Sequence, residues 1–194
     1  MKMSQASTCS IENPGSRRKR LRLALLLLVA ALGACRSPSP PLRVVDNVDL
    51  DRYAGRWYEI SSYPQRFQRG CVATTADYTL VGANRIRVEN ECREGSMDGE
   101  LRRIEGVAWA ANPNLREGKL KVQFFWPFSA DYWIIELDPD YRFAVVGHPS
   151  RKYLWVLART PTLEPALYRE VLERIRSHGY DPEGLNRTLQ APLH

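Results

Sequence analysis

The chain reads as an all-β protein, a sandwich or barrel of short strands followed by one helix. Three observations predict that class. From Arg56 onward, runs rich in aromatic and β-branched residues recur, each closed by turn chemistry. Two of them alternate strictly: Lys119-Leu120-Lys121-Val122-Gln123-Phe124 and Arg85-Ile86-Arg87-Val88-Glu89 put charge on one face and hydrocarbon on the other. A stretch near the carboxyl end then changes its apolar period from two to that of a helix.

In chain order, the first strand is Arg56–Tyr63 (RWYEISSY), and the second is Cys71–Val81 (CVATTADYTLV). A turn at Gly82-Ala83-Asn84 leads to Arg85–Cys92, and the Gly-containing REGSMDGE leads to Leu101–Ala110. Asn112-Pro113-Asn114 separates that run from Gly118–Trp126, and Pro127 precedes Asp131–Leu137. Asp138-Pro139-Asp140 and His148-Pro149-Ser150 then bound Tyr141–Gly147 and Lys152–Ala158. The helix is expected from an N-cap at Thr162, through Glu164 and Pro165, to a left-handed C-cap at Gly179. Leu163, Leu167, Val171 and Ile175, with Leu172 beside them, form its docking stripe. A weak last strand is expected around Arg187–Gln190.

The first residues belong to another process. The apolar run Leu23–Leu32 is ten residues long, too short for the roughly 20 that a membrane-crossing helix needs. Five basic residues stand between Ser16 and Arg22, and small residues follow the run. That is the order of a bacterial secretory signal. The first two dozen or so residues are long for the basic region of such a signal, which leaves a start downstream of Met1 open.

Leu32-Gly33-Ala34-Cys35 resembles the lipobox of bacterial lipoproteins. The resemblance implies a diacylglycerol on the Cys35 thiol and cleavage just before it, and Arg36 implies sorting to the outer membrane. The expected organisation is a signal over 1–34, a Pro/Ser tether over 35–43 and a folded domain over 44–192. Residues 1–34 hold six of the 28 Lys and Arg and one of the 22 Asp and Glu. What remains is 22 basic against 21 acidic residues, a net of +1 rather than +6. A nucleic-acid partner, which needs a retained basic face, is therefore not expected.

Gly55–Ile60 (GRWYEI), Asp131–Trp133 (DYW) and Leu154–Thr160 (LWVLART) resemble, in order, the three signatures of lipocalins. With YPQRFQRGCVATTADYTL, the text is similar to that of the bacterial outer-membrane lipocalins and apolipoprotein D, from about Val44 to Pro192. The resemblance implies an eight-stranded antiparallel up-and-down barrel with one helix on its wall. Such a barrel leaves an interior able to hold one small ligand. It also implies that Trp57 seals the closed end with Arg159 across it, a structural pair.

Alternation points Ile86, Val88, Leu120, Val122 and Phe124 into the barrel. Tyr153 and Trp155 are expected inside, with Leu154 and Val156 under the helix. Tyr132 with Ile134 is taken as inward against Trp133 with Ile135, a parity that two apolar faces leave open. This lining suits a fatty acid or lysophospholipid. Cys71 and Cys92 stand at adjacent ends of a hairpin and are expected to form a disulfide in an oxidising envelope, closing a loop of about 20 residues for roughly 3 kcal/mol. No catalytic residue, metal ligand set or cofactor motif is expected. His148, His178 and His194 have no metal spacing, and no nucleophile elbow or phosphate loop is present. Two alternatives remain open: an enzyme using a free thiol at Cys71 or Cys92, and a scaffold whose barrel is filled by its own side chains. The sequence leaves the oligomeric state open.

Overall fold

The computed structural model describes residues 40–191. The signal segment, Cys35 and His194 lie outside the described residues. Eight strands follow one another: β1 Gly55–Ser62, β2 Cys71–Gly82, β3 Arg85–Glu94, β4 Leu101–Ala110, β5 Lys119–Phe125, β6 Phe128–Leu137, β7 Phe143–Gly147 and β8 Leu154–Ala158. Each pairs antiparallel with the next, and β1 pairs with both β2 and β8, so the sheet closes into a barrel. Closure leaves no sheet edge among these eight strands except where β1 and β2 part beyond Tyr58–Thr75, and residues 186–190 cover that stretch.

Up-and-down order fixes the two ends. The Ala83-Asn84 turn and the 111–118 and 138–142 loops lie at one end, beside the four-residue helix α1 (Leu50–Tyr53). The β1–β2, β3–β4, β5–β6 and β7–β8 connections lie at the other, which is the mouth. The single long helix, α2 (Pro165–Ser177), packs on the outside. Two cores result. The inner one contains Tyr53, Trp57, Tyr78, Ile86, Val88, Leu120, Ile134 and Val146. The outer one joins Ile60, Ile135, Phe143, Leu154 and Val156 to Leu163, Val171 and Ile175.

The helix is also pinned by polar contacts. Arg174 and His178 reach Glu136 on β6 at 3.3 and 2.7 Å, and Tyr168 donates to Ser61 Oγ at 2.9 Å. Burial alone would raise the Glu136 pKa, but its bonds to His178 and Arg174 hold it below the usual range.

Several boundaries differ from the sequence reading. The N-cap of α2 is Glu164, not Thr162: Pro165 occupies the first turn, and the Glu164 carboxylate accepts from Leu167 N–H at 2.9 Å. The Thr160 hydroxyl instead donates to the Thr162 carbonyl. Strand β6 begins at Phe128, because only Trp126 and Pro127 separate the paired Phe125 and Phe128. The last strand, β9, is just Asn186–Arg187, paired with Ser62 and Ser61. The chain is already packed at Pro40, four residues before Val44. Arg151 donates to the Pro40 carbonyl at 2.7 Å, Leu42 is buried against the outer core, and Val45 donates to Ile134 O at 3.0 Å.

Candidate functional site

The closed end is a self-satisfied seal. Trp57 is fully buried, and its indole donates to the Tyr53 carbonyl at 2.8 Å. The Arg159 guanidinium lies 3.9 Å from the centroid of that ring. It donates to the carbonyls of Arg56, Arg52 and Tyr53 at 2.9, 2.6 and 3.2 Å. One cation thus covers an aromatic face and caps the last carbonyls of α1, where a positive charge also suits the helix dipole. Gly55 makes this possible. Its φ is +91°, and a β-carbon there would stand 3.4 Å from Arg159 Nη1.

Above the seal lies a cluster of phenols. Tyr132 OH is 2.8 Å from Tyr53 OH and 2.9 Å from Tyr78 OH. Burial pushes the Tyr78 pKa up to about 12, and burial also raises those of Tyr53 and Tyr132 well above the ordinary value. The phenol tips of the calyx floor are therefore polar without carrying charge at neutral pH.

The expected lining residues fall where alternation sends them in most cases. Ile86, Val88 and Leu120 are buried in the inner core, with Val122, Phe124, Tyr132 and Trp155 packed against it. The open parity of β6 is resolved: Tyr132 and Ile134 point inward, while Trp133 and Ile135 lie with the outer core. Leu154 and Val156 lie in the outer core. Tyr153 is outside both clusters. It stacks on Trp155 at 6.2 Å between centroids and meets His148 edge-on at 5.5 Å, at the mouth.

Sequence reasoning missed a polar chain in the upper calyx. Trp155 Nε1 donates to Gln68 Oε1 at 3.0 Å, and Gln68 Nε2 donates to Glu59 Oε2 at 2.8 Å. Gln68 belongs to the β1–β2 connection, which thereby folds back over the β1–β8 side of the mouth. The only signal was that Glu59 stands two residues from the inward Trp57, on the same face of a strand.

Cys71 and Cys92 are joined, Sγ to Sγ, at 2.01 Å with their Cα atoms 5.4 Å apart. With both sulfurs in that bond, neither residue offers the thiol that the enzyme alternative requires. Among the described residues no group of three or more His, Cys, Asp and Glu side chains is arranged to hold a metal.

Comparison with known proteins agrees with this geometry. A family model described as a Lipocalin-like domain matches residues 48–190. Temperature-induced lipocalin-1 of Arabidopsis thaliana is 42% identical over 158 residues, covering 77% of this chain and 83% of that protein. Outer membrane lipoprotein Blc of Escherichia coli K12 is 40% identical over 167 residues, covering 82% and 93%. Insecticyanin from the tobacco hornworm Manduca sexta superposes with a TM-score of 0.65 over 80% of this chain and 87% of its own, at 23% identity, a likeness of fold.

Proposed function

The chain belongs to the lipocalin family, and from that premise we propose that it binds and carries or stores a fatty acid or lysophospholipid in the barrel. A lipid on Cys35 would hold it to a bacterial outer membrane. The observation that carries the binding reading is the inner wall. Ile86, Val88, Leu120, Val122, Phe124 and Trp155 converge from three strands on one interior, with the phenols below them. Each Å² of ligand hydrocarbon removed from water there contributes about 25 cal/mol before ordering costs. In this reading no bond is made or broken.

Three features support the membrane setting. The lipobox-like Leu32–Cys35 is one, and the relative named as an outer membrane lipoprotein, matched over 82% of this chain, is another. The third is the mouth itself. Phe125, Trp126 and Phe128 at the β5–β6 tip are 69, 87 and 78% exposed. Arg151 holds Pro40 at this same end, and the five residues from Cys35 to Pro40 reach at most about 18 Å. Aromatic side chains of this kind favour the interface between water and lipid.

Native mass spectrometry of the chain made in a bacterium, with lipid extracted from any adduct, tests both parts. The expected result is one co-purifying single-chain lipid per chain, and a covalent lipid mass that Cys35→Ala abolishes. A bare mass with no saturable uptake across a lipid panel would leave the scaffold reading. An unchanged mass and membrane attachment in Cys35→Ala would remove the anchor.

A further inference from the structure

The polar chain in the upper calyx contains a buried acid that an acyl chain does not require. Glu59 is 5% exposed. Its direction follows from register: it pairs with the inward Leu157 and stands two residues beyond the inward Trp57. Ser62 Oγ donates to Oε1 at 3.0 Å, and the Thr188 hydroxyl meets the same oxygen. The Gln68 contact has a fixed sense. An indole N–H can only donate, so Trp155 must face Gln68 Oε1, which turns the amide N–H toward Glu59 Oε2. Among the described residues, no Lys, Arg or His nitrogen lies within 4 Å of this carboxyl. Interiors seldom keep an acid in this condition without a cation.

A second observation lies beside it. Strands β1 and β2 part beyond the pair Tyr58–Thr75, and the Gln190 amide spans the gap, bonding to the carbonyls of Glu59 and Thr74 at 2.8 Å each. Thr74 is 8% exposed and stands on the parity of the inward Ala76 and Tyr78, yet its hydroxyl has no partner. Asn90, paired with Ala76 on the next strand, has a buried Oδ1 that is also unpartnered. A carboxyl, a buried amide and a free hydroxyl therefore stand on adjoining inner walls, and the carboxyl, when ionised, can only be met by a donor. Buried polar atoms without partners are rare in native interiors, and a ligand is one thing that satisfies them.

We infer that the mouth half of the calyx is a headgroup site for a single-chain amphiphile with a primary ammonium head. Glu59 is its counter-group, and Thr74 and Asn90 complete its hydrogen bonds. The inference rests on the carrier reading and narrows it. A free fatty acid bound tail-down would bring its carboxylate against Glu59, whereas an amine-headed lipid would pair with it.

Calorimetric titration of the full chain with dodecylammonium, dodecanoate and dodecanol at pH 7, below their micelle concentrations, tests this. The ammonium is expected to bind at least about 10-fold more tightly than the carboxylate, as opposed signs at a close buried pair require. Glu59→Gln is expected to erase that difference while moving dodecanol by less than about 3-fold. Thr74→Val leaves the Glu59 bonds intact and is expected to weaken the ammonium by about 3- to 10-fold with an unchanged melting temperature. This variant decides the matter if Glu59→Gln does not fold. Equal affinity for ammonium and carboxylate in the unmodified chain, or a preference that survives Glu59→Gln, overturns the headgroup site. Saturable binding of none of the three would overturn the carrier reading instead.

Discussion

At the closed end of the barrel, Arg159 covers Trp57 and spends its donors on three carbonyls of the chain that surrounds it. Towards the mouth, Gln68 reaches across to Glu59 and Trp155, while Thr74 Oγ1 on β2 and Asn90 Oδ1 in the middle of β3 find nothing to bond. The floor satisfies itself, and the mouth does not. Both ends are lined by aromatic and polar groups, so composition does not separate them. What separates them is whether each donor has its acceptor inside the protein. A self-satisfied end serves stability, and an incomplete one is where a ligand has something to contribute.

The sharpest test of that contrast is a pair of matched truncations. Trp57→Ala opens a cavity in the fully buried floor and strips Arg159 of its aromatic partner, and it is expected to cost about 3–5 kcal/mol. Trp155→Ala, half-buried higher in the calyx, is expected to cost clearly less and to weaken ligand binding instead. Urea unfolding of both, alongside ligand titration, reads the two effects. If Trp155→Ala destabilises as much as Trp57→Ala and leaves affinity unaltered, the two ends are alike and the contrast fails.

The disulfide sharpens the comparison at intermediate scale. It ties the mouth end of the β2–β3 hairpin, where Cys92 is buried and the ladder is irregular between Val72 and Thr75. Replacing both cysteines by serine is expected to cost about 2–4 kcal/mol in the chain-entropy account. Thiol titration of the native and the denatured protein is expected to find no free thiol from Cys71 or Cys92. A titratable thiol from either residue in the native protein would bring back the enzyme alternative.

These contrasts also show how much of the molecule the sequence carries. Strand order, the closed barrel and the helix follow from turn chemistry, alternation and the three signatures. Parity was plain in β5, where Lys119 and Lys121 mark the wet side. It was not plain in β6, because α2 covers the outward Trp133 and Ile135 and leaves that strand apolar on both faces. The upper calyx was illegible for a different reason. Glutamate in a strand reads as a solvent-facing residue. Beside the local Ser62 and Gln68, the chain's return at Thr188 and Gln190, over a hundred residues later, adds a partner to the Glu59 carboxyl and one to its backbone carbonyl. Likewise Glu164 displaced Thr162 as N-cap through the position of Pro165, a local choice between two capable side chains. Long-range burial and local competition are what a linear pattern records least.

The smallest expected effect probes whether the floor is truly sealed. In the fold, the Tyr78 pKa is raised to about 12 by burial, and Tyr53 and Tyr132 are raised as well. In the unfolded chain each ionises near pH 10. Above that pH the unfolded state holds fewer protons than the folded one, so stability falls as pH rises. Below about pH 10 the three phenols leave it flat. Each contributes a slope of up to about 1.4 kcal/mol per pH unit until its folded pKa is passed. Tyr78→Phe removes one share of that slope and leaves the Tyr132–Tyr53 bond in place. Urea midpoints between pH 9 and 11.5 are expected to fall less steeply in Tyr78→Phe than in the unmodified chain. Identical slopes would mean that Tyr78 ionises as freely in the fold as outside it. Water would then reach the floor, and the closed end would differ from the mouth in degree rather than in kind.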